Sequence, residues 1–146
     1  MAVERTFFMV KPDGVKRYLS NLILTKLVES GFKILVRRRA TVSPEQAQQL
    51  YLVHKGKPFY EGLVKFITSG PSIQTVLEGE NAVAVVRSLM GPTDPRQAPL
   101  GTIRGDNMGE PLFTEDGTIM NLCHGSDSLE SAKKEIAIFF NEKDLK

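Results

Sequence analysis

Short apolar runs alternate with helix-cap signals along the whole chain, and this alternation restricts the fold more than any other feature of the sequence. Apolar stretches bounded by turn residues predict strands at 4–10, 32–42, 73–77 and 118–124. Cap residues followed by apolar residues at helical spacing predict helices at 20–31, 43–53, 58–69, 81–90 and 127–139. The segment 11–14 and the Pro- and Gly-rich segment 92–117 are predicted to be loops.

The predicted helices begin at recognisable N-caps. Ser43 is followed by Pro44 at the first helical position and by Gln46, which completes a capping box. The other predicted N-caps are Ser20, Asn81 and Asp127, the last in a capping box with Glu130.

Strands interleaved with helices predict a two-layer α/β (α+β) sandwich. Within this class the order favours a ferredoxin-like βαββαβ arrangement, with a four-stranded antiparallel sheet covered by helices. The chain has 146 residues, of which 41% are hydrophobic and 25% charged, as is usual for one globular domain. We therefore expect residues 1–146 to form a single domain.

Charge and cysteine content exclude several classes of protein. Nineteen Lys and Arg against seventeen Asp and Glu leave a net charge of +2, which does not provide a basic surface for nucleic acid. The single Cys123 excludes an internal disulfide and fits a reducing compartment. The N-terminus has no signal-peptide pattern, and no apolar run is long enough to span a membrane. We expect a cytoplasmic protein that binds neither membranes nor nucleic acid.

Cationic side chains are the candidates for an anion site. The sequence contains no G-x-x-x-x-G-K-[ST], no G-x-G-x-x-G after a strand and no D-F-G, which argues against P-loop and protein-kinase sites. Lys11, Arg87 and Arg104 lie in turns and near a helix end, where Lys and Arg can bind phosphate oxygens. Taken alone, each is more typical of a solvated surface charge.

His124 is one of two histidines and lies where a predicted strand ends and a helix begins. Because helix N-termini favour negative charge, a histidine there can attack a phosphoryl group if a partner holds its other ring nitrogen. Glu135, on the following helix, is one candidate for that partner. A packed histidine at a strand end is the commoner outcome for such a residue taken alone.

Two other chemistries around His124 lack support. A zinc site with Cys123 fails because the chain has one Cys, two His and no C-x-x-C pair. A hydrolase triad with Ser126 and Asp127 lacks the G-x-S-x-G turn that exposes a nucleophilic serine.

Four longer segments, 4–7, 10–15, 101–106 and 121–128, together resemble the nucleoside diphosphate kinases, in the same order along nearly the whole chain. The shorter segments 58–59, 63–65, 69–71 and 91–95 also match, and His124-Gly125-Ser126-Asp127 is the most specific part. The resemblance implies that His124 takes the γ-phosphate of a nucleoside triphosphate, typically ATP, and passes it to a nucleoside diphosphate. This is a ping-pong reaction at one shared nucleotide site, and it maintains NTP and dNTP pools.

The resemblance also implies roles for the surrounding residues. Glu135 would orient His124, and Ser126 would support that pair. The implied nucleotide contacts are Lys11 and Tyr51 at the transferring phosphoryl, Lys11 also at the ribose, Arg87, Thr93 and Arg104 at the other phosphates, Asn121 at the sugar hydroxyls and Phe59 at the base. Mg²⁺ is the implied cofactor, held mainly by the nucleotide phosphates and not by protein ligands.

Substrate breadth and assembly follow from the same resemblance. Stacking on Phe59 predicts little base specificity, because every base has a flat face. Family members assemble as hexamers or tetramers, and we expect a homo-oligomer, with a hexamer favoured over a tetramer and Pro95 in a loop that meets a neighbouring subunit. The segment 105–117 is longer than in most members and lies next to the base, so the second base-stacking residue is left unassigned.

Two rival functions remain open at this point. One is a nucleotide- or nucleic-acid-binding module of the same architecture that uses Arg37-Arg38-Arg39. Alternation along a strand would place these arginines on different faces, and RNP-like aromatic spacing is absent. The other is a phosphohistidine carrier that receives its phosphate from a protein and exchanges little of it among free nucleotides.

Overall fold

A four-stranded antiparallel sheet lies at the centre of the protein, as seen in a computed structural model that describes residues 2–145. The strands are β1 (Val3–Val10), β2 (Lys33–Thr41), β3 (Pro71–Glu80) and β4 (Cys123–Gly125). Their spatial order is β2-β3-β1-β4, and each neighbouring pair is antiparallel. The predicted α+β fold with ferredoxin-like strand order is confirmed.

Helices pack against both faces of this sheet. They are α1 (Pro12–Lys16), α2 (Ser20–Glu29), α3 (Pro44–Leu50), α4 (Tyr60–Ile67), α5 (Ala82–Met90), α6 (Ile103–Asp106) and α7 (Leu129–Phe139), with short 3₁₀ helices at Leu52–His54, Pro95–Gln97 and Glu142–Leu145. Successive residues of β1 serve the two faces, since Phe8 packs in a core with α2 and α5 while Phe7 packs with α3, α4 and α7. Between residues 2 and 145 no helix has the length and apolar content to cross a membrane.

Of the N-caps predicted at Ser20, Ser43 and Asn81, only the one at Ser20 is misplaced. The capping box of Ser43 and Gln46 is present, as predicted. Ser20, predicted as an N-cap, is the first residue of α2. Asn81 does occupy the N-cap position of α5, but at φ 50° its side chain makes no cap bond within the described chain. Glu4 provides the capping hydrogen bond in its place, because Glu4 Oε1 accepts from the Val83 N–H at 3.2 Å.

The capping box predicted for Asp127 and Glu130 is wrong. Ser128 is the N-cap of α7, and its hydroxyl accepts from the Ser131 N–H at 3.0 Å. The helix therefore begins one residue later than the sequence pattern indicates, and Asp127 lies in the turn between β4 and α7.

Two segments predicted as loops contain regular structure, and one predicted strand is shorter than expected. The turn 11–14 opens α1, with Pro12 in its first turn. The predicted strand 118–124 is wrong over residues 118–122, because β4 begins only at Cys123, directly after a left-handed Leu122 (φ 76°). The predicted loop 92–117 contains α6 and continues into a hairpin, 112–120, joined by the Phe113–Ile119 bridge.

The arginine run on β2 is divided between the two faces of the sheet, as predicted. Arg37 donates to Asn21 Oδ1 on α2 at 3.0 Å, whereas Arg38 donates to the Phe139 carbonyl of α7 at 2.7 Å. A bulge between Ile34 and Val36 interrupts the regular alternation earlier in the same strand.

Candidate active site

A cleft of about 870 Å³ is bounded by β4, the start of α4 and the helices α5 and α7. Nine of the residues singled out from the sequence line it: Lys11, Tyr51, Phe59, Arg87, Thr93, Arg104, Asn121, His124 and Glu135. Ser126 is 1% exposed and lies behind this lining, against Glu135. Residues from β4, α5, α6 and α7, and from the segments that connect the elements, thus meet at one site.

His124 and Glu135 form the central contact of the cleft. His124 is carried by β4, which pairs with β1, and Glu135 by α7, which packs across the same strand. The His124 Nε2–H donates to Glu135 Oε1 at 2.6 Å, and the Ser126 hydroxyl donates to the same oxygen at 2.8 Å. Glu135 therefore fixes the ring orientation and holds the proton on Nε2, which leaves the Nδ1 lone pair for chemistry.

The backbone immediately before His124 is held in a sparsely populated conformation. Leu122 has φ 76°, and its neighbours close a tight turn in which the Cys123 N–H donates to the Asn121 carbonyl at 2.9 Å. Asp13 Oδ2 accepts from the Leu122 N–H at 3.0 Å, and the Leu122 carbonyl accepts from the Lys11 N–H at 2.8 Å. The strained residue is therefore clamped on both sides by the segment that follows β1.

Asp13 is a residue that the sequence analysis did not assign to the site. It is buried, and burial raises the pKa of its carboxyl, while the neighbouring positive charge of Lys11 opposes that rise. Its place in a Lys-Pro-Asp-Gly segment predicts a turn, but no sequence signal indicates that the carboxylate reaches a backbone amide more than 100 residues away.

Lys11 and Asn121 form a buried polar pair at the floor of the cleft. Lys11 is 7% exposed, and its ammonium donates to Asn121 Oδ1 at 2.8 Å. The Asn121 amide in turn donates to the Thr93 carbonyl at 3.0 Å. Burial, assisted by the positive charge of Arg104, lowers the pKa of Lys11 to about 8. The amine is therefore mostly protonated at neutral pH and loses its proton just above it.

The two arginines are oriented by main-chain carbonyls. Arg104 is buried, and its guanidinium donates to the carbonyls of Asn121 at 3.0 Å, Gly91 at 3.0 Å and Cys123 at 2.7 Å. Arg87 donates to the Gly125 carbonyl at 2.9 Å. A guanidinium has five N–H donors. Both arginines therefore keep donors for an anion while the carbonyls fix the position of each guanidinium.

Aromatic side chains form the opposite wall. The Tyr51 hydroxyl is buried, and burial together with the negative charge of Glu135 raises the pKa of Tyr51, so the hydroxyl stays neutral. Phe59 is 50% exposed. His54, which the sequence analysis did not assign to the site, meets the Phe59 ring edge-on at a centroid distance of 5.1 Å.

The carboxylates of the cleft, among the residues that the structure describes, do not form a metal-binding cluster. Within residues 2–145 there is no group of three or more His, Cys, Asp and Glu side chains arranged to hold a metal ion. The carboxylates that line the cleft are those of Glu61, Asp116, Asp127 and Glu135. This donor set fits Mg²⁺ that is carried mainly by substrate phosphates, because Mg²⁺ needs only one or two protein carboxylates and keeps several waters.

Comparison with known proteins independently supports the resemblance to the nucleoside diphosphate kinases. A model of the family described as "Nucleoside diphosphate kinase" matches residues 4–145. The chain is 47% identical to the nucleoside diphosphate kinase of Hyperthermus butylicus, over 99% of this chain and 97% of that protein. It is 50% identical to the enzyme of Staphylococcus carnosus, over 98% of this chain and 91% of that protein.

Solved structures show the same relationship. A halophilic nucleoside diphosphate kinase from Halobacterium salinarum in complex with CDP matches with a TM-score of 0.88 and 44% identity, over 99% of this chain and 92% of that one. A transition-state mimic of the Borrelia burgdorferi enzyme with bound vanadate and ADP matches with a TM-score of 0.89 and 30% identity, over 99% and 90%. With the cleft and these relatives taken together, the chain belongs to the nucleoside diphosphate kinase family, whose members are phosphotransferases.

Proposed function

We propose that this enzyme transfers the γ-phosphoryl group of a nucleoside triphosphate to a nucleoside diphosphate through a phosphohistidine on Nδ1 of His124. The observation that carries the proposal is the 2.6 Å hydrogen bond from His124 Nε2 to Glu135, because it leaves Nδ1 as the nucleophilic nitrogen at the cleft. The transition-state mimic that the Borrelia burgdorferi relative forms with vanadate and ADP supports phosphoryl transfer as the reaction of this chain.

Each half-reaction exchanges one bond for another. The Nδ1 lone pair attacks the γ-phosphorus, the bond from that phosphorus to the β–γ bridging oxygen breaks, and the nucleoside diphosphate leaves with the bond electrons. The ring becomes positively charged, and the Glu135 carboxylate at Nε2 stabilises it. In the second half-reaction a β-phosphate oxygen of the acceptor attacks the same phosphorus and the P–N bond breaks.

Positioned cations do most of the remaining work, since phosphoryl transfer requires charge neutralisation and in-line alignment. Lys11 and the neutral Tyr51 hydroxyl reach the transferring group, and Lys11 also contacts the ribose. Arg87 and Arg104 hold the other phosphates with the donors that the backbone carbonyls leave over, and Thr93 adds a hydroxyl. When bound, Mg²⁺ neutralises charge on the nucleotide phosphates and aligns them.

The sugar occupies the floor of the cleft, and the base occupies its outer part. Asn121 binds the sugar hydroxyls beside Lys11, and the exposed face of Phe59 stacks on the base. Stacking admits any base, and relatives that hold CDP and ADP support this breadth.

Domain organisation, assembly and location complete the proposal. We expect residues 1–146 to act as one domain in a homo-oligomer, a hexamer in preference to a tetramer, with the Pro95 loop at a subunit contact. Large apolar side chains on the surface of residues 2–145, such as Leu22, Val28 and Leu100, support burial against further copies. Cytoplasmic location is consistent with the free, buried Cys123.

A pulse of ATP labelled at the γ-phosphate tests the proposal. The protein should retain label that is lost in acid and kept in alkali, and unlabelled GDP should discharge it as labelled GTP. His124→Ala should take no label, whereas His54→Ala, which changes the other of the two histidines, should still be labelled. Nucleotide binding without label would refute phosphoryl transfer, and label that GDP cannot discharge would favour a carrier that serves a protein acceptor.

A further inference from the structure

The hairpin 112–120 brings a carboxylate to the base end of the cleft. Its frame consists of backbone hydrogen bonds from Thr114 N–H to the Thr118 carbonyl at 2.8 Å and from Met120 N–H to the Leu112 carbonyl at 2.8 Å. Asp116 lies in the turn of this hairpin and lines the same cleft as Phe59 and His124. The end of the predicted loop, residues 112–117, therefore belongs to a hairpin whose turn forms part of the wall of the site.

The hairpin packs against α4 where that helix has no side chain. A Cβ atom at Gly62 would collide with the Thr118 hydroxyl, and it would lie 3.6 Å from Asp116 Oδ2. Phe59 is the N-cap of α4 and has helical backbone angles, so Gly62, three residues later, lies on the same side of the helix, roughly 5–6 Å away. The Asp116 carboxylate therefore lies beside the first turn of α4, which follows the ring on which we expect the base to stack, and both residues line the cleft.

One oxygen of the Asp116 carboxylate accepts hydrogen bonds from the hairpin, and the other is available to a ligand. The hydroxyls of Thr114 and Thr118 both donate to Oδ1, the latter at 3.2 Å. Within residues 2–145, Oδ2 accepts no hydrogen bond. The Thr114 hydrogen bond is the main reason that the pKa of Asp116 lies below its usual value, with a smaller contribution from Lys65, so the group is an anion at neutral pH.

We propose that Asp116 contacts the edge of the bound base and makes this enzyme favour guanine nucleotides over uracil and thymine nucleotides. Guanine presents a ring N–H and an exocyclic NH₂ side by side, which suit a carboxylate acceptor. Uracil and thymine present one N–H between two carbonyl oxygens, and these oxygens are repelled by a carboxylate. Adenine and cytosine, each with an amino group beside an acceptor nitrogen, should lie between.

Asp116 also borders a second cavity. Lys65 lines this cavity, of about 1060 Å³, and Lys65 is not part of the nucleotide cleft. Glu115, the neighbour of Asp116 in the hairpin, lines only that second cavity. Glu115 therefore offers a control that changes the same charge on the same hairpin without altering the cleft.

The proposal rests on the phosphohistidine mechanism, and discharge of the phosphoenzyme tests it. Rapid-quench kinetics would give the second-order rate constants for discharge by GDP, ADP, CDP and UDP. We expect the wild-type ratio of GDP to UDP to be about ten, the low end for a base-edge contact because Asp116 is exposed. In Asp116→Asn the ratio should fall to within about twofold of unity, and in Glu115→Gln it should keep its wild-type value.

The outcomes are distinguishable because the measured quantity is a ratio. A variant that merely loosens the hairpin slows discharge by every nucleotide and leaves the ratio unchanged, and that result would overturn the proposal. A wild-type ratio near one, or equal changes in both variants, would also overturn it. A wild-type phosphoenzyme that no nucleoside diphosphate discharges would refute the transfer reaction itself.

Discussion

The two ends of the cleft are built in opposite ways. At the proposed phosphate end, which includes the sugar site, Lys11, Arg104 and Asn121 are buried, and each is held by hydrogen bonds to side chains or main-chain carbonyls. At the base end, Phe59 and Asp116 are exposed and belong to a helix start and a hairpin turn. The difference matches the chemistry, because every substrate shares its phosphates while the bases vary.

Rigid positioning of side chains increases the reaction rate only where those side chains contact the reacting atoms. Preorganised cations accelerate phosphoryl transfer because they need no rearrangement as charge develops. The base takes no part in the reaction, so a flat aromatic face can hold any base, and a contact at the base edge adds only selectivity. We therefore expect substitutions at the phosphate end to lower turnover and substitutions at the base end to change apparent affinity and selectivity.

Loss of the charge behind His124 should have the largest effect among the supporting residues. Glu135→Gln keeps the shape but removes the carboxylate that stabilises the charged ring, so formation of the phosphoenzyme should slow by about 100-fold. Single-turnover rapid quench with labelled ATP measures this rate. The matched control is Glu130→Gln on the same helix, whose pairing with Lys134 at 3.5 Å is exposed and should contribute almost nothing. Equal losses in the two variants would contradict the assigned role.

Removal of the clamp on Leu122 should reduce both stability and turnover. In Asp13→Ala the buried Leu122 N–H loses its acceptor, which should cost about 1–3 kcal/mol of unfolding free energy. Turnover should fall by roughly tenfold, because a displaced backbone moves His124 and Asn121 together. Asp13→Asn keeps an acceptor and should recover most of both quantities. Urea unfolding and steady-state kinetics test this. Full turnover in a destabilised Asp13→Ala would show that the strained turn serves folding alone.

Titration of Lys11 should limit activity in alkali. The pKa of Lys11 is lowered to about 8, and only the protonated amine neutralises phosphate charge. As pH rises through this value, kcat/KM should decline by about tenfold per unit, and below it the rate should be independent of this group. Lys11→Arg cannot lose its proton in this range, so its profile should lack the decline. An identical alkaline limb in Lys11→Arg would assign the limb to another group.

Replacement of the stacking ring should have the smallest effect and a different signature. Phe59→Leu should raise KM for all nucleoside diphosphates by roughly fivefold while kcat stays close to its wild-type value. Phe113→Leu is the matched control, because Phe113 is an exposed aromatic of the hairpin that contacts Arg96 and does not line the cleft. A fall in kcat at unchanged KM would mean that the base end also positions the phosphates, which would remove the contrast between the two ends.

Much of this organisation can be predicted from the sequence. The strand-helix order and the capping box at Ser43 are local patterns, and both are confirmed. The cleft residues were identified because short segments around Lys11, Arg104 and His124 resemble those of one family, and the structure brings these residues to one cavity. Site residues that lie in short contiguous motifs can therefore be predicted without a structure.

Features that depend on distant contacts could not be predicted. The left-handed conformation of Leu122 is stabilised by Asp13, and nothing in the sequence around Leu122 indicates it. The hairpin 112–120 falls partly in the predicted loop 92–117 and partly in the predicted strand 118–124, because its two arms are too short for period-two alternation to stand out. Ser128 caps α7 in place of Asp127, since two adjacent cap residues compete and the backbone angles decide.

The most direct test of the central claim is to determine which ring nitrogen of His124 carries the phosphoryl group. Phosphoenzyme formed from labelled ATP would be digested in alkali, and the two phosphohistidine isomers separated by chromatography against standards. The hydrogen bond from Nε2 to Glu135 predicts the Nδ1 isomer. Recovery of the Nε2 isomer would contradict the account, because Glu135 would then face the reacting nitrogen and could not act from behind the ring.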